Sequence, residues 1–252
     1  MHGDAKTIES VNKTLYIIEG LWKLDSAGVT ELAEHLDLSK STVHVHLTTL
    51  EKKGYVVSAD GQYELGLRFV NYGEYVKRSQ PLYQAAKPAV EDLAKQTGEL
   101  VFCWVEQEGL ATALCAEAGE RAVQTNIRVG THTYMHGAAA GKAILAYLPD
   151  DRVEAILDRW GMSQLTEHTI TDREQLRKQL EKGRERGVFF SQHEYRRGVA
   201  SIGVPIRGEE CIHGSLTVYG PAMRITKDQP ETELANQLLS SANQIEVDMT
   251  VG

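Results

Sequence analysis

The residues with the clearest chemical pattern lie between Ser39 and Lys53. On a helical wheel, at about 100° per residue, Val43, Leu47 and Leu50 fall on one side. Ser41, Val45, Thr48 and Lys52 fall roughly opposite, with Lys40 and His44 to one flank and Thr42, His46 and Thr49 to the other. The outward face is small and polar, with a lysine at each end. Hydroxyls bond base edges or phosphates, lysines neutralise phosphates, and an outward valine packs on a thymine methyl. Such a face suits the major groove of double-stranded DNA. The candidate contacts are Ser39, Lys40, Ser41, Thr42, His44, Val45, Thr48 and Lys52. The plain alternative is an ordinary solvated helix face.

A second cluster is Gly137-Ala138-Ala139-Ala140-Gly141-Lys142. A Walker loop needs G-x-x-x-x-G-K-[ST]; this segment is one residue short and has Ala143 in place of the metal-binding hydroxyl, which argues against nucleotide hydrolysis. Small residues opening a helix either let a carboxylate reach the N–H groups at its positive end or permit close helix–sheet packing, and both readings stand. Catalytic groupings are missing. Ser201 sits in Gly198-Val199-Ala200-Ser201-Ile202-Gly203, with the wrong spacing for a nucleophile elbow. His132 and His136 are four apart, but they straddle an expected loop-to-helix boundary with no fixed acidic or thiol partner for a metal. Cys103, Cys115 and Cys211 form no C-x-x-C pair. They fall in expected strands, where buried, inert thiols are the default. The sequence thus assigns no catalytic residue, no metal site and no cofactor.

These residues need elements to hold them. Residues 10–25 read as an amphipathic helix capped by Ser10, with Val11, Leu15, Ile18, Leu21 and Trp22 on one stripe. A short helix over 29–36 buries Val29, Leu32, Ala33 and Leu36. After a turn, Ser39 caps a helix over 40–53, which Gly54 ends. Strands at 55–58 and 62–65 flank Ala59-Asp60-Gly61, a hairpin signal. The order is that of a winged helix-turn-helix. A linker helix over 67–78 ends before Pro81. Beyond it, helices fit 82–97, 136–148, 151–159, 172–186 and 228–248. Strands fit 100–106, 110–117, 123–128, 187–191, 198–206 and 211–219. The pattern predicts an α+β, sensor-like second domain on a mostly antiparallel sheet.

Composition agrees with two globular domains. The chain has 252 residues, 42% hydrophobic and 25% charged, enough for a core without disulfide staples. The formal charge of −8 argues against nucleic-acid or membrane binding by the whole surface. Residues 1–78 are closer to neutral, with nine basic and eleven acidic side chains. Their bases gather at Lys40, Lys52, Lys53, Arg68, Lys77 and Arg78. The opening residues lack a signal-peptide pattern, and no apolar run nears the roughly 20 residues that span a bilayer. A cytoplasmic protein is expected, and an acidic DNA-binding chain points to a high-salt cytoplasm, such as that of a halophilic archaeon.

Longer strings carry a resemblance. Leu38-Ser39-Lys40-Ser41-Thr42-Val43-His44, then Leu47-x-x-Leu50-Glu51-x-x-Gly54-Tyr55-Val56, resembles the recognition helix and wing entry of the IclR (isocitrate lyase regulator) family of transcription factors. Met135-His136-Gly137-Ala138-Ala139-Ala140-Gly141-Lys142-Ala143 is similar to that family's L-H-A-T-A-x-G-K-A segment. Glu194-x-x-x-Gly198-Val199-x-Ser201-Ile202-x-x-Pro205 and Leu216-Thr217-Val218-Tyr219-Gly220-Pro221 resemble its two late strands. Four motifs in order span essentially the whole chain. The departures are Val45 for a frequent Arg, Ser201 for a usual Cys, and Tyr219 for a Ser.

The resemblance implies a winged helix-turn-helix over 1–66, a linker helix over 67–80 and a GAF-like effector domain over 81–252. It implies a homodimer or dimer of dimers on an inverted-repeat operator, without membrane association. Carried over by position, the effector pocket takes Ala139 and Ala140 as backbone donors. Ser191, Ser201, Thr217 and Tyr219 supply hydroxyls, and Thr125, Thr133 and Val199 form walls. Ser201 and Tyr219 favour a small hydroxylated organic acid or sugar acid over an aromatic one. The function implied is an effector-controlled transcriptional regulator. The alternative is an enzyme of small-acid metabolism that uses its N-terminal domain to dimerise.

Overall fold

The computed structural model describes residues 6–209, 211–225 and 233–251. The first five residues, read above for a leader, and residues 228–232, where the sequence starts its last helix, lie outside the described residues. The chain divides into two compact units, Met1–Lys77 and Arg78–Gly252.

The first unit begins with α1 (Glu9–Leu24), α2 (Val29–Leu36) and α3 (Lys40–Lys52). A hairpin follows, β1 (Val56–Ala59) and β2 (Gln62–Leu65), and then α4 (Arg68–Arg78). Ile17, Leu21, Leu32, Val43, Leu47 and Val56 form its buried centre. The expected cap and stripe of α1 are corrected. Ile8 occupies the cap position without a side-chain bond, and Ser10 lies within the helix, its carbonyl accepting from the Thr14 hydroxyl. The buried face is Ile17, Gly20 and Leu21, while Val11, Leu15 and Trp22 are exposed, Trp22 by 59%. Gly20 explains the choice: a Cβ there would sit 2.7 Å from Leu32 Cδ1, so α2 packs where α1 has no side chain. Ser39 does cap α3, accepting from the Thr42 N–H at 3.1 Å. Asp60 and Gly61 both have positive φ, 51° and 78°, as a two-residue turn matched to strand twist requires.

The second unit runs α5 (Pro81–Thr97), β3 (Leu100–Gln107), β4 (Leu110–Ala118), β5 (His132–Tyr134) and a 3₁₀ turn (Met135–Gly137). Next come α6 (Ala139–Leu145), α7 (Asp150–Trp160), α8 (Arg173–Arg186), β6 (Phe189–Gln192), β7 (Val199–Arg207), β8 (Ile212–Pro221) and α9 (Glu233–Val251). The strands form one antiparallel sheet in the order β5-β4-β3-β8-β7-β6. The alternation of β3 sorts its side chains. Val101 and Cys103 join the core shared with α5 and α9, and Leu100, Phe102 and Trp104 join the core shared with α6, α7 and α8.

Three expectations change here. Residues 123–128 form no strand, because hydroxyls satisfy that backbone locally: Ile127 N–H donates to Thr125 Oγ1 and Arg128 N–H to Thr131 Oγ1. The edge of β4 is taken instead by β5, with Leu110 opposite Tyr134. The helix read over 136–148 is a 3₁₀ turn, an extended Ala138 and the short α6. Gly141 lets this turn fold back, since a Cβ there would fall 2.2 Å from the Met135 carbonyl. Finally, Cys103 and Cys115 are buried opposite one another on β3 and β4, but Cys211 is exposed and precedes β8.

Candidate functional site

The α3 face is laid out by its cap. Ser39 Oγ lies 2.8 Å from Thr42 Oγ1 and 3.0 Å from Ser41 Oγ, so three hydroxyls cluster at the helix start, where Ser39 also takes the Thr42 N–H. Ser39, Lys40, Ser41, His44, Val45 and Lys52 are exposed, and Thr42 and Thr48 are half-buried. Val45 is 63% exposed. His46 faces the other way, its Nδ1 2.8 Å from Thr14 Oγ1 of α1. The hairpin is tethered beside α3 by a hydrogen bond from Ser58 to Glu51. Arg68 holds α4 to the same end, donating to the Lys53 carbonyl and lying over the Tyr55 ring.

In the second unit, a narrow cleft with about 20 Å³ of cavity volume lies between α6 and the sheet. Phe102 and Trp104 of β3 form one wall, their rings 5.1 Å apart. Ile127, Ala138, Ala140 and Tyr195 close the others. Thr133, Ser201, Thr217 and Tyr219 bring hydroxyls to it. Trp104 Nε1 donates to Thr217 Oγ1 at 2.9 Å. The hydroxyls of Thr133 and Tyr219 are buried with no hydrogen-bond partner. Burial pushes the Tyr219 hydroxyl up from its usual range, so it stays protonated and able to donate.

Of the nine positions carried over by resemblance, five border this cleft: Thr133, Ala140, Ser201, Thr217 and Tyr219. Four do not. Ala139 is fully buried, its carbonyl carbon 3.2 Å from where a Cβ on Gly203 of β7 would stand. Ser191 donates to the Gly137 carbonyl. Thr125 accepts from the Ile127 N–H, and its side chain lies close enough to the Tyr219 hydroxyl to oppose slightly the upward push of burial. Val199 is half-buried outside the cleft wall. The reading missed Phe102, Trp104, Ile127, Ala138 and Tyr195; the alternation of Leu100, Phe102 and Trp104 was the available signal for two of them. His132 and His136 are engaged separately, His132 with Thr112 Oγ1 and His136 Nε2 with the Ser163 carbonyl. Among the described residues no three His, Cys, Asp or Glu side chains group to hold a metal.

Comparison with known proteins agrees with both halves. Residues 10–60 match the IclR helix-turn-helix domain, and residues 74–247 match the family described as "Bacterial transcriptional regulator IclR C-terminal". The chain belongs to the IclR family. It is 32% identical over 98% of its length, and 95% of the relative, to the "Probable HTH-type transcriptional regulator ArcR" of Halobacterium salinarum. The solved IclR of Thermotoga maritima superposes with a TM-score of 0.83 at 26% identity, covering 96% of this chain and 99% of that one. An IclR homolog from Microbacterium hydrocarbonoxydans, solved with 4-hydroxybenzoate, shares the fold at 20% identity and a TM-score of 0.83, over 96% of this chain and 100% of that one. The IclR-family chain is therefore a DNA-binding transcriptional regulator, α+β in class. Its relatives are regulators, and the enzyme alternative has no support among them. No described helix is long and apolar enough to cross a membrane.

Proposed function

We propose that this IclR-family regulator inserts α3 into the major groove of an inverted-repeat operator and is controlled by a small hydroxylated carboxylic acid in the cleft between α6 and the sheet. The observation that carries the effector reading is the pair of buried, unpartnered hydroxyls on Thr133 and Tyr219. A buried hydroxyl without a partner costs about 1–3 kcal/mol, and a ligand acceptor relieves that cost. The carboxylate would meet the start of α6 at Ala140, the residue of that helix which borders the cleft, and Ser201 and Tyr219 would read the acid's hydroxyl groups. Phe102 and Trp104 offer ring faces to the remainder of the molecule. The Microbacterium homolog holds 4-hydroxybenzoate, a hydroxylated carboxylic acid, but of the aromatic kind that Ser201 and Tyr219 are expected to disfavour.

Lys40 and Lys52 would neutralise phosphates, and Ser41, Thr42, His44 and Val45 would face bases. A homodimer, or a dimer of dimers, fits the apolar side chains exposed on α1 and α4, Leu15, Tyr16, Tyr72 and Tyr75 among them. The division proposed is 1–66 for DNA, 67–80 as linker and 81–252 for effector, in a cytoplasmic protein. Effector binding then acts by linkage, favouring one spacing of the two recognition helices over another.

The test selects duplexes from random DNA with the full chain. The selected site should be an inverted repeat, and alanine at Ser41, Thr42 and His44 should weaken its binding without lowering the melting temperature. Wild-type affinity in all three would overturn the DNA reading. For the effector, 4-hydroxybenzoate and gluconate serve as probes, and one of the two classes should raise the melting temperature of the parent but not of an Ala140→Leu variant. An equal rise in that variant would place the binding site elsewhere.

A further inference from the structure

Lys142 and Glu194 form an ion pair buried on both sides, with side-chain exposures of 1% and 5%. Lys142 Nζ lies 2.8 and 2.6 Å from the two carboxylate oxygens of Glu194, 2.8 Å from Gln179 Oε1 and 3.1 Å from the Phe190 carbonyl. These contacts use all three ammonium donors. Nothing is left for a phosphate, the role that the Gly-Lys pair brings to mind in the sequence. Two buried charges are unfavourable to desolvate, and apolar residues of similar volume often pack as stably. A conformational role explains the pair better than a packing one.

The pair joins two parts of the effector cleft. Lys142 lies on α6, two residues beyond Ala140, hence roughly 200° around the helix from the cleft wall. Glu194 lies in the loop between β6 and β7, next to Tyr195. That loop is bent at both ends, with His193 at φ 61° and Gly198 at φ 81°. Its first carbonyls accept from Thr166 and Thr169: Thr166 Oγ1 is 2.7 Å from the His193 oxygen and Thr169 Oγ1 is 2.6 Å from that of Glu194. Tyr195 borders the effector cleft and two neighbouring clefts as well. It is the partition between them.

We infer that Lys142 and Glu194 are positioning residues: their ion pair locks the β6–β7 loop to α6, so that Tyr195 stands as the wall of the effector cleft. The functional consequence rests on the effector reading above, but the lock itself is measurable without any effector.

The experiment uses the full chain carrying Trp22→Phe and Trp160→Phe, so that Trp104 on the cleft wall is the only tryptophan, and reads acrylamide quenching of its fluorescence. Tyr195→Ala removes the wall and should raise the quenching constant about twofold or more, as local opening exposes the indole. Lys142→Met with Glu194→Leu removes both charges together and should do the same in a folded protein. Glu194→Asp keeps both charges but draws the carboxylate back by one methylene, and should raise quenching even if the double variant does not fold. Parental quenching in Glu194→Asp and in a folded double variant, beside a raised value in Tyr195→Ala, would overturn the lock. Parental quenching in Tyr195→Ala would overturn the wall. If no probe acid shields Trp104 in the parent, that result speaks against the effector reading alone.

Discussion

Thr133 and Tyr219 hold the most testable atoms of the molecule, two hydroxyls buried without partners. Thr133→Val and Tyr219→Phe should each raise the melting temperature of the effector-free protein, by up to about 1–3 kcal/mol of stability. The same variants should bind the effector roughly tenfold to a hundredfold more weakly, because a site built around a hydroxyl loses its selectivity with it. A variant that is destabilised and binds normally would contradict both statements. His136 makes a pH prediction. Burial holds its pKa below the ordinary 6.5, against an opposing hydrogen bond to the Ser163 carbonyl, and nearby Lys142 adds to the depression. A depressed pKa gives stability that is present above about pH 6.5 and lost as pH falls through the folded-state value. Thermal melts should therefore weaken below pH 6.5, and His136→Gln, which keeps a donor for that carbonyl, should flatten this limb. On α3, Lys40→Ala should weaken binding to all DNA and reduce the salt slope by about one unit. Replacing thymine by uracil opposite Val45 should cost up to about 1–3 kcal/mol at one position of the half-site. A uracil scan without a sensitive position would remove Val45 from the groove.

Elements decide how these residues meet. The helix α6 has only seven residues, yet it carries the cleft wall on one face and Lys142 on the other. Its small residues serve packing as well as access: Gly203 of β7 lies so close that a Cβ there would come within 3.2 Å of the Ala139 backbone. Of the two readings of that segment, close packing has direct support in these distances, and Ala140 still borders the cleft. Breaking the ion pair from one side leaves a buried charge alone, so Lys142→Met should cost about 3–5 kcal/mol by chemical denaturation, while removing both charges should restore most of it. Equal losses in the single and double variants would mean that the side chains act by packing only. In α1, Gly20→Ala should forfeit the roughly 1 kcal/mol that alanine ordinarily gains over glycine in a helix, since its Cβ would meet the buried Leu32 Cδ1 at 2.7 Å and displace it.

At the scale of the whole molecule, two compact units carry two separate tasks. The net charge of −8 gives the surface as a whole no attraction for DNA, so the proposed groove contact of α3 has to draw on local basic positions such as Lys40 and Lys52. Effector binding should stabilise the protein by about 2.7 kcal/mol at a hundred times its dissociation constant. Ala140→Leu should abolish that increment while leaving operator affinity at the wild-type level, read by titration of the same preparation. Loss of operator binding in this variant would mean that the cleft is required for the DNA-binding conformation itself.

The local elements of the first unit were legible because their signals are local. Ser39 before a helix, Gly54 after it and Asp60-Gly61 between strands act through neighbouring backbone, and the bounds of α3, to within one residue, and the start of β2 follow from them. The family and its function were legible because four ordered strings carry them. The stripe of α1 was not, since a helix with two apolar faces is oriented only by its partner, and the partner came to rest at Gly20. The cleft was half legible. Ser201, Thr217 and Tyr219 sit on strands whose alternation can be read, but Tyr195 reaches the cleft from a loop, and Trp104 becomes a wall only because β3 pairs with β8 in one register. The sequence by itself determined which residues were available for chemistry. Only the tertiary structure decided that Lys142 is turned away from the cleft and pairs with Glu194, 52 residues on, because a buried ammonium group needs an opposite charge, and folding brings the Glu194 carboxylate to it.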